Sequence, residues 1–305
     1  MPLHPIFATA FQAASQAGRP ALSAGSPADA RTLIDAGAGP LGAGPAIETV
    51  SNLDIPTRDG SVKARLFRSS AQTPGLVVYF HGGGWVAGSV EGFDALGREL
   101  AAKSGCAVLS VEYRLAPEHP YPSGLHDAID AVRWAYRERQ QLTGCEAPLV
   151  LAGDSAGGNL AAVTALELRN QIPVALQVLF YPVTDANFET ASYTEFGAGP
   201  GLSLADMKWF FDHYAPPDQR NDPRISPLQA NVAGVAPAWI ALAEYDVLRS
   251  EGEAYAKHLE NAGVRVQLKT YEGLPHGFAR WYNLVSEVAL AIDDASAAIN
   301  AAVTY

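Results

Sequence analysis

A chain of 305 residues with 48% hydrophobic and 17% charged residues can bury a full-sized core, which excludes a disordered polypeptide. Its formal net charge of −11 opposes binding to nucleic acid or to an anionic membrane, since both present negative surfaces. Two cysteines, Cys106 and Cys145, are too few for a disulfide framework, and no Cys/His cluster has metal-site spacing, so neither metal nor cofactor is expected.

The first residues, "MPLHPIFATAFQAASQAGRP", lack a basic start followed by an unbroken apolar run, so they read poorly as a signal peptide. No stretch approaches the roughly 18 apolar residues of a membrane span, and a soluble cytoplasmic protein is the expectation. Residues 1 to about 45 are rich in Ala, Gly and Pro, with patches of helical periodicity. Within them "SPADARTLIDAG" carries a helix start: Ser26 can cap, Pro27 suits the first helical position, and Asp29 suits the positive end. From about Ile47 the character changes. "IETVSNLDIPTRDGSVKARLFRS" reads as two strands joined at Asp59-Gly60.

Strands and helices then alternate. "GLVVYF", "AVLSVEY", "PLVLAG" and "VALQVLFYP" are strands, separated by helices over "GFDALGRELAAKSG", "LHDAIDAVRWAYRERQQL" and "AGGNLAAVTALELRNQ". Most of these strands are continuous apolar runs, the pattern of strands covered on both faces. The alternation implies an α/β fold: a mostly parallel central sheet with helices on both faces. From about Phe188 to Asp222 the rhythm breaks, and "LSLADMKWFFDHYAPPDQRNDP" reads as a capped aromatic helix followed by a Pro/Asp-rich loop. Such an insertion is often a lid or binding segment. Strand "AWIALAEYD", helix "SEGEAYAKHLENAG", strand "RVQLKTYEG" and a last helix from about Tyr282 complete the chain.

"GDSAGG", Gly153 to Gly158, fits G-x-S-x-G between a strand and a helix, the context of a nucleophile elbow. The turn is so sharp that positions two before and two after the serine must be nearly free of side chain, and Gly153 and Gly157 meet that demand. Ser155 would stand clear of the sheet, with the Ala156 N–H at the start of the next helix facing any charge formed above it. A serine hydroxyl needs a base, oriented in turn by an acid. Of the later histidines, His213 and His258 lie inside helices, whereas His276 sits in the Pro/Gly-flanked loop "EGLPHGFARW". Asp246 closes the strand "AWIALAEYD" and is the preferred acid; Asp185, also after a strand end, is the rival, and Glu244 is a weaker one. "VYFHGGGWVAG" supplies bare backbone where an oxyanion would form, so Gly83 and Gly84 are candidate donors beside Ala156. His81 reads as a support for this glycine loop. A phosphate cradle is disfavoured, because no lysine or threonine follows to hold a nucleotide.

Taken together, "HGGGW", "YRLAPEHPYP", "GDSAGGNLA", "EYDVLRSEGEAYAKHL" and "PHGF" resemble, in order and spacing, the bacterial hormone-sensitive-lipase-like (family IV) carboxylesterases of the α/β-hydrolase superfamily. That resemblance implies an α/β-hydrolase fold in one domain over residues 1–305. A helical cap would be formed by about 1–46 and 188–222, with a core of about 47–187 and 223–305. It implies Ser155 as nucleophile, Asp246 as acid and His276 as base, and Gly83, Gly84 and Ala156 as oxyanion donors. Where the family often reads Asp-Pro-Leu-Arg-Asp-Glu-Gly, this chain has "DVLRSEG", with Val247 and Ser250 beside the acid. Ala116-Pro117 and Tyr121-Pro122 are X-Pro bonds in a turn, where cis isomers concentrate, and Glu118 reads as polar glue there. The expected substrate is a small, uncharged ester of short to medium acyl chain, in a pocket to which Trp85, Trp209, Phe210 and Phe211 are candidate contributors. For Trp209, Phe210 and Phe211, plain helix packing is the competing reading. A histidine base must be neutral, so activity should fall below about pH 6.5, where an ordinary histidine protonates. A non-catalytic binder, like the gibberellin receptors that resemble this family, and an amidase with the same triad are the alternatives. Similar esterases also suggest a homodimer.

Overall fold

The computed structural model describes residues 1–199 and 201–304. An eight-stranded sheet runs through it in the order β1-β2-β4-β3-β5-β6-β7-β8, comprising β1 (Thr49–Thr57), β2 (Gly60–Arg68), β3 (Leu76–Phe80), β4 (Ala107–Val111), β5 (Leu149–Asp154), β6 (Val174–Phe180), β7 (Ala238–Tyr245) and β8 (Val266–Pro275). β1 pairs with β2, and β2 with β4, antiparallel; every other pair is parallel. This is the mostly parallel sheet that the strand–helix alternation implied, in the α/β-hydrolase arrangement that the family resemblance implied. The first turn lies one residue earlier than expected: Thr57 pairs with Gly60, so Arg58-Asp59 and not Asp59-Gly60 form the turn, and Gly60 (φ 129°) opens the second strand.

β3 shows why the strands lack polar alternation. Leu76, Val78 and Phe80 join one buried cluster while Val77 and Tyr79 join another, on the opposite face. Against the first face pack α4 (Ser123–Thr143), α5 (Ala156–Leu168) and α8 (Arg249–Asn261). Against the second pack α3 (Asp94–Ser104) and α9 (Ser286–Val303). Helix ends follow local chemistry: α3 closes on Gly105 and α4 on Gly144, both left-handed, where a side chain would be disfavoured.

Two segments lie outside this frame. α1 (Pro5–Gln16) and α2 (Pro27–Ala36) precede the sheet, and Ser26 and Asp29 form a reciprocal cap on α2. After β6 come α6 (Ala191–Phe196), which has no strong sequence signal, and α7 (Leu204–Tyr214), capped in the same way by Ser203 and Asp206. The Asp206 carboxylate also accepts the Ser23 N–H (2.9 Å), joining the two segments. Pro200, inside the 188–222 span, lies outside the described residues. Two of the three X-Pro bonds of "YRLAPEHPYP", Ala116-Pro117 and Tyr121-Pro122, are cis, and Arg31 of α2 pairs with Glu118 while donating to the Val86 and Ala116 carbonyls.

Candidate active site

Ser155 follows the last residue of β5, a central strand, and caps α5 with φ 55°. A side chain on Gly153 would overlap the Gly157 backbone, and one on Gly157 would overlap the Phe80 carbonyl. Glycine at these two places is therefore what lets strand and helix approach closely enough to make the turn. The Ser155 N–H donates to Phe180 O (2.9 Å), and Ser155 O accepts from Asn159 N (3.0 Å) and Val183 N (3.2 Å). The serine backbone is held on both sides.

Asp246 stands just past β7 and His276 just past β8, the next strand outward. The His276 imidazole bridges two groups: its Nδ1 lies 2.7 Å from Asp246 Oδ2 and its Nε2 2.9 Å from Ser155 Oγ. A carboxylate only accepts, so the proton sits on Nδ1 and Nε2 presents its lone pair to the serine hydroxyl. Asp246 Oδ1 accepts the Leu248 N–H (2.9 Å), and the side chain is buried. The rival acids are occupied elsewhere. Asp185 accepts from Gln229 Nε2 (3.2 Å), while Glu244 bonds the Met1 amino group (3.0 Å) and the Gly273 N–H (2.6 Å). His258 bonds the Ala230 carbonyl (2.8 Å) and His213 packs edge-on to Trp209, so neither approaches the serine's partner position.

The glycine loop is pinned from behind. His81 is fully buried, stacked on Tyr113 (4.5 Å between rings), and its Nδ1 donates to Gly82 O (2.8 Å). Gly83 O in turn accepts from Val86 N (3.1 Å) and Ala87 N (2.9 Å). In a trans peptide the carbonyl and the next N–H point in opposite directions. Fixing the Gly82 and Gly83 carbonyls therefore aims the Gly83 and Gly84 N–H groups the other way, and among the described residues neither has a partner. Ala156, as the first residue of α5, likewise has no helical acceptor. Burial pushes the His81 pKa down to about 4, so the ring stays neutral and keeps the single donor this arrangement needs.

Asp154 is a supporting group that reading the motif for its serine passes over. Its Oδ1 accepts from Tyr79 OH (2.6 Å) and from Gly82 N (2.8 Å), tying the nucleophile strand to the glycine loop. Burial raises its carboxyl pKa, against the pull of those two bonds. The only sequence signal was a carboxylate beside the serine at the end of an apolar strand.

The four pocket aromatics take different places. Phe211 (0% exposed) and Trp85 (1%) are sealed against one another and Tyr214, with Trp85 stacked on Tyr214 at 4.2 Å. They offer no open pocket wall, because both rings are consumed in core packing. Phe210 lies directly over Gly84, where a side chain would overlap its ring. Trp209 is half-buried, packed against the core cluster and edge-on to Phe210.

Residues 77–280 match the family model of the alpha/beta hydrolase fold. The chain is 41% identical over 250 residues to an ethyl acetate hydrolase of Pseudomonas putida, covering 79% of each chain. It is 40% identical over 272 residues to the carboxylic ester hydrolase LipN of Mycobacterium tuberculosis, covering 85% of this chain and 72% of that one. Among solved structures, a hyperthermophilic esterase from the archaeon Pyrobaculum calidifontis superposes with a TM-score of 0.94 at 38% identity, covering 99% of both chains.

Proposed function

This chain belongs to the hormone-sensitive-lipase-like carboxylesterases of the α/β-hydrolase superfamily and hydrolyses carboxylic esters, and we propose that Ser155, His276 and Asp246 carry the reaction through an acyl-enzyme. Ser155 Oγ attacks the ester carbonyl carbon as His276 Nε2 takes its proton. The carbonyl oxygen becomes an oxyanion, which accepts from the Gly83, Gly84 and Ala156 N–H groups. Collapse breaks the C–O bond to the alcohol, and the proton on Nε2 passes to the departing oxygen. Water, deprotonated by the same nitrogen, then attacks the acyl carbon and frees the acid. Asp246 holds the Nδ1 proton throughout and stabilises the imidazolium.

The observation that carries this reading is the unbroken Ser155 Oγ–His276 Nε2, His276 Nδ1–Asp246 Oδ2 relay at 2.9 and 2.7 Å. Short- to medium-chain esters are the proposed substrates. The ethyl acetate hydrolase relative and the close cover of Phe210 over Gly84 both favour a small acyl group. The N-terminal helices together with α6 and α7 serve as the cap, joined through Ser23 and Asp206 and resting on the glycine loop.

Three variants test the assignment in a p-nitrophenyl acetate assay. Ser155→Ala should abolish turnover, by about 10⁶ in kcat, while the fold persists. Asp246→Asn should lower kcat by about 10⁴, because an amide no longer enforces the Nδ1–H tautomer. Asp185→Asn should stay within about tenfold of the parent, because Asp185 makes no bond to His276. If Asp185→Asn alone were inactive, the acid would be misassigned.

A further inference from the structure

Among the described residues, three other than glycine have a positive φ: Trp85 (60°), Ser155 (55°) and Tyr181 (36°). The first belongs to the oxyanion loop and the second is the nucleophile. Tyr181, the first residue after β6, has no part in the reaction described above. A bulky aromatic there is a true outlier, and such strain persists only where surrounding contacts over-determine it.

Those contacts reach each side of the catalytic relay. The Tyr181 N–H donates to Ala241 O in β7 (2.6 Å). Its ring sits 4.8 Å from the His276 imidazole at 59°, and 4.9 Å from Phe278. Its phenol oxygen accepts the Ala279 N–H (3.1 Å), three residues beyond the imidazole. The residue before it, Phe180, accepts the Ser155 N–H, and Val183, two residues after it, donates to Ser155 O. One short stretch thus grips the nucleophile through its backbone and the base through a side chain. Burial holds the phenol neutral across the working range, so the contact does not change with pH.

We propose that Tyr181 is a positioning residue for ester hydrolysis: its ring and its phenol bond to the Ala279 amide hold the His276 imidazole in register with Ser155. The proposal rests on the triad assignment above. Without the phenol oxygen the Ala279 N–H loses its buried acceptor, and the loop that carries His276 is free to drift from the serine. Misplacement of a catalytic group by about 1 Å can cost about 10² in rate.

The test compares Tyr181→Phe, Tyr181→Leu and Tyr193→Phe with the parent, each normalised to active serine titrated with a phosphonate ester. Tyr193 is a control for loss of a buried tyrosine hydroxyl, since its OH has no partner among the described residues and its ring packs on Phe188. Tyr181→Phe should lower kcat about tenfold with KM within about twofold, and Tyr181→Leu, which also loses the ring contact, should fall further. The low-field proton resonance of the His276–Asp246 bond should broaden in Tyr181→Phe and stay sharp in the Tyr193→Phe control. A merely structural role would lower the amount of titratable serine and leave kcat per site and this resonance unchanged, and that result overturns the proposal. A measurement on the parent serves if the variants do not fold: the Ala279 amide should be protected from hydrogen exchange, and exchange at the rate of an open loop also overturns it. Ser155→Ala separates the two readings, because an active Ser155→Ala sinks the triad assignment itself, whereas an unimpaired Tyr181→Phe sinks only this inference.

Discussion

Gly83→Ala would perturb the oxyanion loop at its tightest point. Gly83 has φ 123°, and a Cβ built there lies 2.5 Å from the Ala87 carbonyl carbon and 3.0 Å from Gly88 N, where ordinary contact begins at 3.4 Å. The obstacle is backbone, so the two strands of the loop must part by about 1 Å at the carbonyl carbon. That separation strains the bonds from Val86 and Ala87 N–H to Gly83 O, which set the direction of the Gly84 N–H. Loss of one oxyanion donor costs about 3–4 kcal/mol of barrier, or about 10²–10³ in kcat. The ground-state carbonyl gains less from these donors, so KM should change little. Gly263→Ala separates backbone strain from overlap: Gly263 has φ 78° with nothing within 4 Å, and the change should cost about 1–2 kcal/mol of stability without loss of activity. Steady-state p-nitrophenyl acetate hydrolysis, with thermal melts on both variants, reads the difference. A folded Gly83→Ala enzyme that kept more than about a tenth of parental kcat would refute the donor assignment.

Three further outcomes follow, two from burial and one from pocket size. His81, neutral in the fold with a pKa of about 4, is protonated in the unfolded chain below about 6.5, so its contribution to stability is complete above pH 6.5 and is lost as pH falls to 4. The linkage is worth about 3 kcal/mol, and His81→Gln should flatten the melting-temperature profile across that window. Glu251 has the opposite sign: burial raises its pKa well above the usual value, so its contribution is present below about pH 4.5 and declines as pH rises. Glu251→Gln should flatten that decline. In a series of p-nitrophenyl esters from acetate to palmitate, kcat/KM should peak among the short chains; a maximum at palmitate would contradict the small acyl pocket.

Much of this architecture was legible in the chain because local chemistry and tertiary demand agree there. The apolar runs of β3 and β5 mark strands covered on both faces, and Ser26 with Asp29 marks the start of α2 by a bond the two residues make with each other. Ser155, Asp246 and His276 could be singled out because each follows a strand end, and the parallel strands bring those ends to one edge of the sheet. What stayed hidden depends on partners distant in the chain. The Tyr79–Asp154 bond spans 75 residues, and the strained φ of Tyr181 is set by contacts with β7 and the His276 loop, which no local pattern encodes. The aromatic run of α7 was ambiguous for a different reason. Trp209, Phe210 and Phe211 are all aromatic, and only the angle at which the helix docks decides that Phe210 and Phe211 are buried while Trp209 is half-buried against the same cluster.

The strand order has one more implication. The nucleophile rides a strand flanked on both sides, whereas the proton acceptor hangs from an edge strand, whose far side no other strand covers among the described residues. Thermal fraying begins at such margins, where opening costs least. Heat should therefore silence this enzyme by detaching its imidazole while most of the sheet still stands, so the lifetime of activity and the lifetime of the fold are separate quantities.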